Sequence, residues 1–76
     1  MITVKLYGLL RIESGIRETQ LEAVTVKEVL SHLTERGIPR EALNSCVILI
    51  NGSTANKRSK LKDGDAVVLM SPVAGG

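Results

Sequence analysis

Few side chains in this 76-residue sequence have the chemistry of an active site, and their spacing does not gather them. The single histidine, His32, falls on the polar side of a helical pattern with no orienting partner, which an active base needs. The single cysteine, Cys46, opens an apolar run where a small packed residue is expected, and buried thiols are inert. One His and one Cys among unrelated carboxylates do not assemble a metal site, so no metal is expected. Val24-Thr25-Val26 is the wrong chemistry for a phosphate-cradling loop ahead of a helix, so no bound cofactor is expected either. Lys57, Arg58, Lys60 and Lys62 read as a solvated loop or as a docking patch for an acidic partner surface.

What remains is the C-terminus. The last expected strand ends in Ser71-Pro72, and Pro72 has no amide to continue a ladder. Val73, Ala74, Gly75 and Gly76 then follow with no structural signal. The two glycines bring a free α-carboxylate and no Cβ to widen the backbone. Extended at 3.3–3.6 Å per residue, the terminus reaches about 17 Å beyond Ser71. So thin a segment suits threading into a narrow tunnel of another protein, although composition alone equally allows a frayed end. The expected organisation is a folded domain over 1–72 and a flexible tail over 73–76.

A chain of this length makes one small domain. Val, Ile and Leu supply 24 of its residues, well above the level at which chains stay disordered. A domain this small buries only ~60% of its unfolded surface, so its core is thin. That argues against a self-contained enzyme with a deep pocket and for a carrier, adaptor or binding module. Phe and Trp are absent and Tyr7 is the only aromatic, which removes the stacking platforms of a nucleic-acid binder. Residues 1–56 balance six basic against six acidic side chains, so the net charge of +2 arises wholly within 57–76. A lone cysteine excludes a disulfide framework and fits a reducing compartment. No leader-like start appears, and no apolar run exceeds five residues, too few to span a bilayer. A soluble cytoplasmic domain, with no membrane or nucleic-acid partner, is expected.

The elements that must position the tail follow from periodicity. Ile2, Val4 and Leu6 alternate with Thr3, Lys5 and Tyr7, which predicts a half-buried strand. Gly8 and Gly15 bracket a connection, and a second strand over residues 18–24 is a hairpin partner for the first. Thr25-Val26-Lys27-Glu28 is a capping box, with Glu28 expected to reach back to the Thr25 amide and Val24 to staple against Val29. Val26, Val29, Leu30 and Leu33 form one apolar stripe, predicting a helix over 26–36 that Gly37 and Pro39 terminate. After a polar link, residues 46–50 read as a central strand covered on both faces. Asn51-Gly52 marks a hairpin turn, residues 53–60 allow at most a short edge strand, and Leu61 anchors the approach to Asp63-Gly64-Asp65. Residues 66–70 form the last strand, beside the first. The order is that of an α+β domain.

These features coincide in a known pattern. Tyr7-Gly-Leu-Leu-Arg11 after the first strand, Gly15, Thr25-Val-Lys-Glu-Val-Leu30, Val47-Ile-Leu-Ile-Asn-Gly52, Leu61-Lys-Asp-Gly-Asp65 and Pro72-Val-Ala-Gly-Gly76 cover essentially the whole chain. The sequence resembles the MoaD/ThiS sulfur-carrier family, and its Pro-Val step resembles the MoaD-like branch, the small subunit of molybdopterin synthase. The resemblance implies a ubiquitin-like β-grasp fold, with a mixed sheet of four to five strands and one main helix packed on one face. It implies that Gly76 is the reacting group: an E1-like adenylating enzyme uses ATP and magnesium to convert its carboxylate to an acyl-adenylate, and a sulfur donor protein then converts that to a thiocarboxylate. Pro72, Val73, Ala74 and Gly75 would thread the tail into the large subunit of molybdopterin synthase, which holds the catalytic side chains, so this chain is a carrier and not itself an enzyme. Tyr7, Arg11 and Met70 occupy positions near the partner surface in the family. Alternative uses of such a tail are sulfur delivery to thiamine, cysteine or tRNA, or conjugation as a ubiquitin-like modifier; a non-catalytic β-grasp interaction module is a further reading. Ser71 stands where the family commonly has a second proline, which implies a more flexible exit.

Overall fold

The alternation at the start of the chain becomes strand β1 (Ile2–Tyr7), with Ile2, Val4 and Leu6 buried. The computed structural model describes residues 1–71. The expected ladder end at Pro72 and the tail of Val73, Ala74, Gly75 and Gly76, with the domain boundary between 72 and 73, lie outside the described residues.

The last strand, β5 (Ala66–Met70), runs parallel to β1 in a register from Thr3 opposite Ala66 to Tyr7 opposite Met70. A short strand β2 (Glu18–Leu21) pairs antiparallel with the free side of β1. On the other side of β5 lies antiparallel β3 (Val47–Ile50), whose own edge carries the two-residue β4 (Ser53–Thr54). The order is β2-β1-β5-β3-β4, so first and last strands meet at the centre as expected. Successive side chains alternate between faces. Val67 and Leu69 therefore share the inner face with Ile2, Val4, Leu6 and Ile48, and all are buried.

Helix α2 (Val26–Glu35) supplies the rest of the core, burying Val26, Val29, Leu30 and Leu33 as its stripe requires. Its N-terminus is capped where predicted, the Glu28 N–H donating to Thr25 Oγ1 at 3.3 Å. The reciprocal bond differs: the Glu28 carboxylate accepts from the Val24 amide and the Thr25 hydroxyl, not from the Thr25 amide. Val24 stays 65% exposed while Val29 is fully buried, so the expected staple is absent. The cause is an antiparallel bridge between Thr25 and Lys60, in which the Leu61 N–H donates to the Val24 carbonyl at 2.8 Å and fixes the entry angle instead. At the other end the Gly37 N–H reaches the Thr34 carbonyl and the Ile38 N–H the Leu33 carbonyl, a Schellman closure that buries Ile38.

Two short helices replace segments read as connections. Helix α1 (Leu9–Ser14) turns after Gly8 and buries only Leu10. Helix α3 (Arg40–Asn44) follows Pro39 and buries Leu43. Strand β3 is also not covered on both faces: Ile48 is buried, but Val47 is 45% exposed, because α2 covers only the inner face. Asn51 and Gly52 both take positive φ (50° and 86°), those of a type I′ hairpin turn. Among the described residues no helix is long and apolar enough to cross a membrane.

Candidate functional site

The parallel pairing of β1 and β5 brings their C-terminal ends to one edge of the sheet, where the described chain stops. Tyr7, Met70 and Val47 lie side by side across the outer face at that edge, 42%, 40% and 45% exposed. Behind them the paired Val68 and Leu49 are half-buried. The outer face of β5 and β3 is thus an apolar row with no helix over it, a larger surface than Tyr7 and Met70 alone. Val47 was missed in the sequence because an unbroken apolar run does not reveal which of its members face the helix. Exposed apolar side chains in a contiguous row mark interaction surfaces.

Ser71, the first residue beyond β5, is held in place by β1 and α1. Its amide continues the ladder weakly, donating to the Tyr7 carbonyl at 3.5 Å, and its Oγ accepts from the Leu9 N–H at 2.7 Å. Gly8 makes this approach possible. Its backbone sits at φ 69°, ψ −143°, and a Cβ there would stand 2.4 Å from Ser71 Oγ. The Ser71 hydroxyl makes, through Leu9, a tether that proline lacks.

Arg11 lies on α1, one turn beyond Gly8, and is exposed on a helix, not in a loop. Leu9 and Ile12 of the same helix also face solvent beside the exit. Sequence reading passed over both because six residues are too few for a helical period to declare itself. Tyr7, Met70, Ser71 and the start of α1 are thus brought together, whereas Pro72, Val73, Ala74, Gly75 and Gly76 lie outside the described residues.

The remaining polar candidates belong to the scaffold. Asp65 accepts from the Lys62 N–H at 2.8 Å and the Asn51 side-chain amide at 2.9 Å, and these bonds, Lys62 foremost, hold its carboxyl below the usual carboxylate range. Asn51 Oδ1 in turn accepts from the Ala66 N–H, so the Leu61–Asp65 motif locks the β3–β4 hairpin to the beginning of β5, at the opposite end from Ser71. Cys46 precedes β3, half-buried, with its thiol on the Leu43 carbonyl, and burial pushes it up from its ordinary value. His32 is exposed on α2. No group of three or more His, Cys, Asp or Glu that could hold a metal ion occurs among the described residues. The arrangement has the chemistry of a presenting surface: a sheet end, an apolar row and a pinned exit.

Comparison with known proteins agrees with that reading. The ThiS family model matches residues 4–76. No curated protein sequence matches. Among solved structures, subunits 1 and 2 of the molybdopterin-converting factor of Helicobacter pylori, solved as a protein–protein complex, include a chain 30% identical over 99% of this chain and 97% of that one, with a TM-score of 0.75. The small archaeal modifier protein 1 of Methanosarcina acetivorans is also 30% identical, over 99% and 95% of the two chains, at a TM-score of 0.80. The BexX/CysO complex of Amycolatopsis orientalis matches over the full length of both chains at 0.81, a likeness of fold at 22% identity. The fold is thus the ubiquitin-like β-grasp, and the chain belongs to the ThiS family of MoaD-like and ThiS-like sulfur carriers.

Proposed function

We propose that this chain carries sulfur for molybdopterin synthesis, through a thiocarboxylate on Gly76. The observation that carries the reading is the exit geometry: parallel β1 and β5 end together, and Ser71 is fixed beside an exposed apolar row. A partner that covers Tyr7, Val47 and Met70 also meets the point where the chain leaves β5. An E1-like enzyme with ATP and magnesium is the first such partner. A Gly76 carboxylate oxygen attacks the α-phosphorus, pyrophosphate leaves, and the acyl-adenylate forms. A sulfur nucleophile delivered by a donor protein then attacks the acyl carbon and AMP departs with the original oxygen, so the net change is one oxygen for one sulfur. Splitting one hard substitution into two easier ones is the benefit of covalent activation.

The large subunit of a molybdopterin synthase is the proposed acceptor, supplying the catalytic side chains while this chain supplies the sulfur; the cytoplasm is the proposed setting. Its support is the likeness to the H. pylori converting-factor complex. Equal identity to an archaeal modifier protein favours a second use of the same terminus, attack by a protein amine on the adenylate to give a conjugate. ATP–pyrophosphate exchange with the E1-like enzyme tests the shared step. Adding one residue after Gly76 is expected to abolish exchange at unchanged Tm, and Gly75→Val to slow it at least about tenfold, ~1.4 kcal/mol of lost positioning. Normal exchange and loading by the extended chain would refute the proposal.

A further inference from the structure

The face of the domain away from the apolar row holds a groove of about 840 Å³ between α2, α3 and the loop that follows β4. Lys27, Arg40, Lys57 and Arg58 line it against the single carboxylate of Glu35. Among the described residues none of these four cations forms an ion pair. Nor is the loop a loose solvated run. The Arg58 N–H donates to Asn56 Oδ1 at 2.8 Å, the Asn56 N–H to Ser59 Oγ at 3.1 Å, and the Lys57 side chain to Asn44 of α3. The loop is also clamped to α2: the Val26 N–H donates to the Ser59 carbonyl at 3.0 Å and the Lys27 N–H to the Lys57 carbonyl at 3.1 Å. With the Glu28 amide taken by Thr25, the first amides of α2 are occupied, and the positive character of the groove resides in its side chains.

We infer that this groove docks an extended acidic segment of a partner protein, as a second contact separate from the apolar row and the C-terminal chemistry. The loop backbone and the Lys57 side chain are already held, which lowers the ordering cost of binding, and complementary charge sets partner choice and association rate. The groove is open, with its cations exposed, so it suits a crossing polypeptide better than an enclosed small ligand. Leu30 and Leu43 close its floor, and the alkyl stems of the basic residues add apolar surface. A nucleic acid fits less well: no aromatic residue lines the groove to stack a base.

The probe is a fluorescein-labelled Glu-rich peptide of about ten residues, ~33 Å when extended, with one central Leu. A Gln-for-Glu peptide and an oligouridylate of equal length serve as comparisons, and amide NMR shifts locate the binding. The Glu peptide is expected to shift resonances of α2, α3 and residues 56–60. Raising ionic strength from about 0.05 M to about 0.3 M should weaken it at least about tenfold. Arg40→Glu/Arg58→Glu should weaken it at least about tenfold, ~1.4 kcal/mol, with unchanged Tm, whereas Lys5→Glu on the outer sheet face leaves it unaltered. Equal binding by the Gln peptide, tighter binding by the oligouridylate, shifts confined to the sheet face, or wild-type affinity in the double variant would each overturn the inference. Pyrophosphate exchange does not enter this test, so its outcome is independent of the Gly76 chemistry.

Discussion

Gly8→Ala probes the exit more sharply than any change to the apolar row. At φ 69° and ψ −143° the backbone lies in a region almost confined to glycine, and an L residue there costs about 1–3 kcal/mol. The new Cβ would also meet Ser71 Oγ at 2.4 Å, so the hydroxyl must swing away and release the Leu9 N–H. Losing that bond adds about 1 kcal/mol. The total is about 2–4 kcal/mol, or roughly 10–30 °C in Tm for so small a domain. Ser71→Ala alone should cost about 1 kcal/mol, the hydrogen bond without the strain. Because Gly8→Ala already breaks that bond, the double variant should be no less stable than Gly8→Ala, and the two single effects should exceed the double by about 1 kcal/mol. Urea unfolding at 25 °C measures all four proteins. Additivity within about 0.3 kcal/mol would show that Gly8 and Ser71 do not meet, and the pinned exit would be withdrawn.

Thr25→Ala removes the acceptor for the Glu28 amide and should cost about 1 kcal/mol, read as a fall of roughly 4–8 °C in Tm, with pyrophosphate exchange per folded molecule unchanged. Asp65 has a depressed folded-state pKa, so its contribution to stability is fully present above the ordinary aspartate range and is lost as pH falls through that range toward the lower folded value. Asp65→Asn should therefore flatten the acid limb of the stability profile and leave its slope near neutrality unaltered; an unchanged acid limb would assign that slope to other carboxylates.

The sequence was most informative where local pattern and tertiary role coincide. Alternation in β1, the stripe of α2 with its Thr25 acceptor, and Asn51-Gly52 each state their structure within a few residues, and each formed where expected, whereas the reach-back of Glu28 to the Thr25 amide and the Val24 staple did not. Helices α1 and α3 were hidden because each buries a single residue, Leu10 or Leu43, and one apolar position sets no period. Strand β3 misled for a related reason: Val47 and Leu49 read as core, yet face away from α2 into the row beside the exit. Gly75-Gly76 and residues 72–74 before them carry the proposal of a reactive terminus, and they lie outside the described residues. How the chain leaves the body was not legible, because the Leu9–Ser71 bond joins residues 62 apart that only the parallel β1–β5 pairing makes neighbours. The Leu61–Asp65 motif lies at the other end of β5 from the exit, where Leu61 is buried and Asp65 accepts from Asn51 and from the Lys62 N–H.

The shape of the domain suits the proposed role, in which the chain serves chemistry done elsewhere. One face of the sheet is spent on a thin core with α2, and the other stays apolar and open at the end where the last strand finishes. Ser71 is fixed at that end by its bonds to Tyr7 and Leu9.

The central claim, that Gly76 carries sulfur, is tested most directly by the intact mass of the chain purified from its own cells without reductant or added sulfide, with fragmentation of its C-terminal peptide. The account predicts a species with one oxygen replaced by one sulfur, the substitution confined to Gly76. A chain with only oxygen at Gly76, under conditions where the E1-like enzyme is active, would contradict it, and a population found solely as amide-linked protein adducts would give the terminus to conjugation instead.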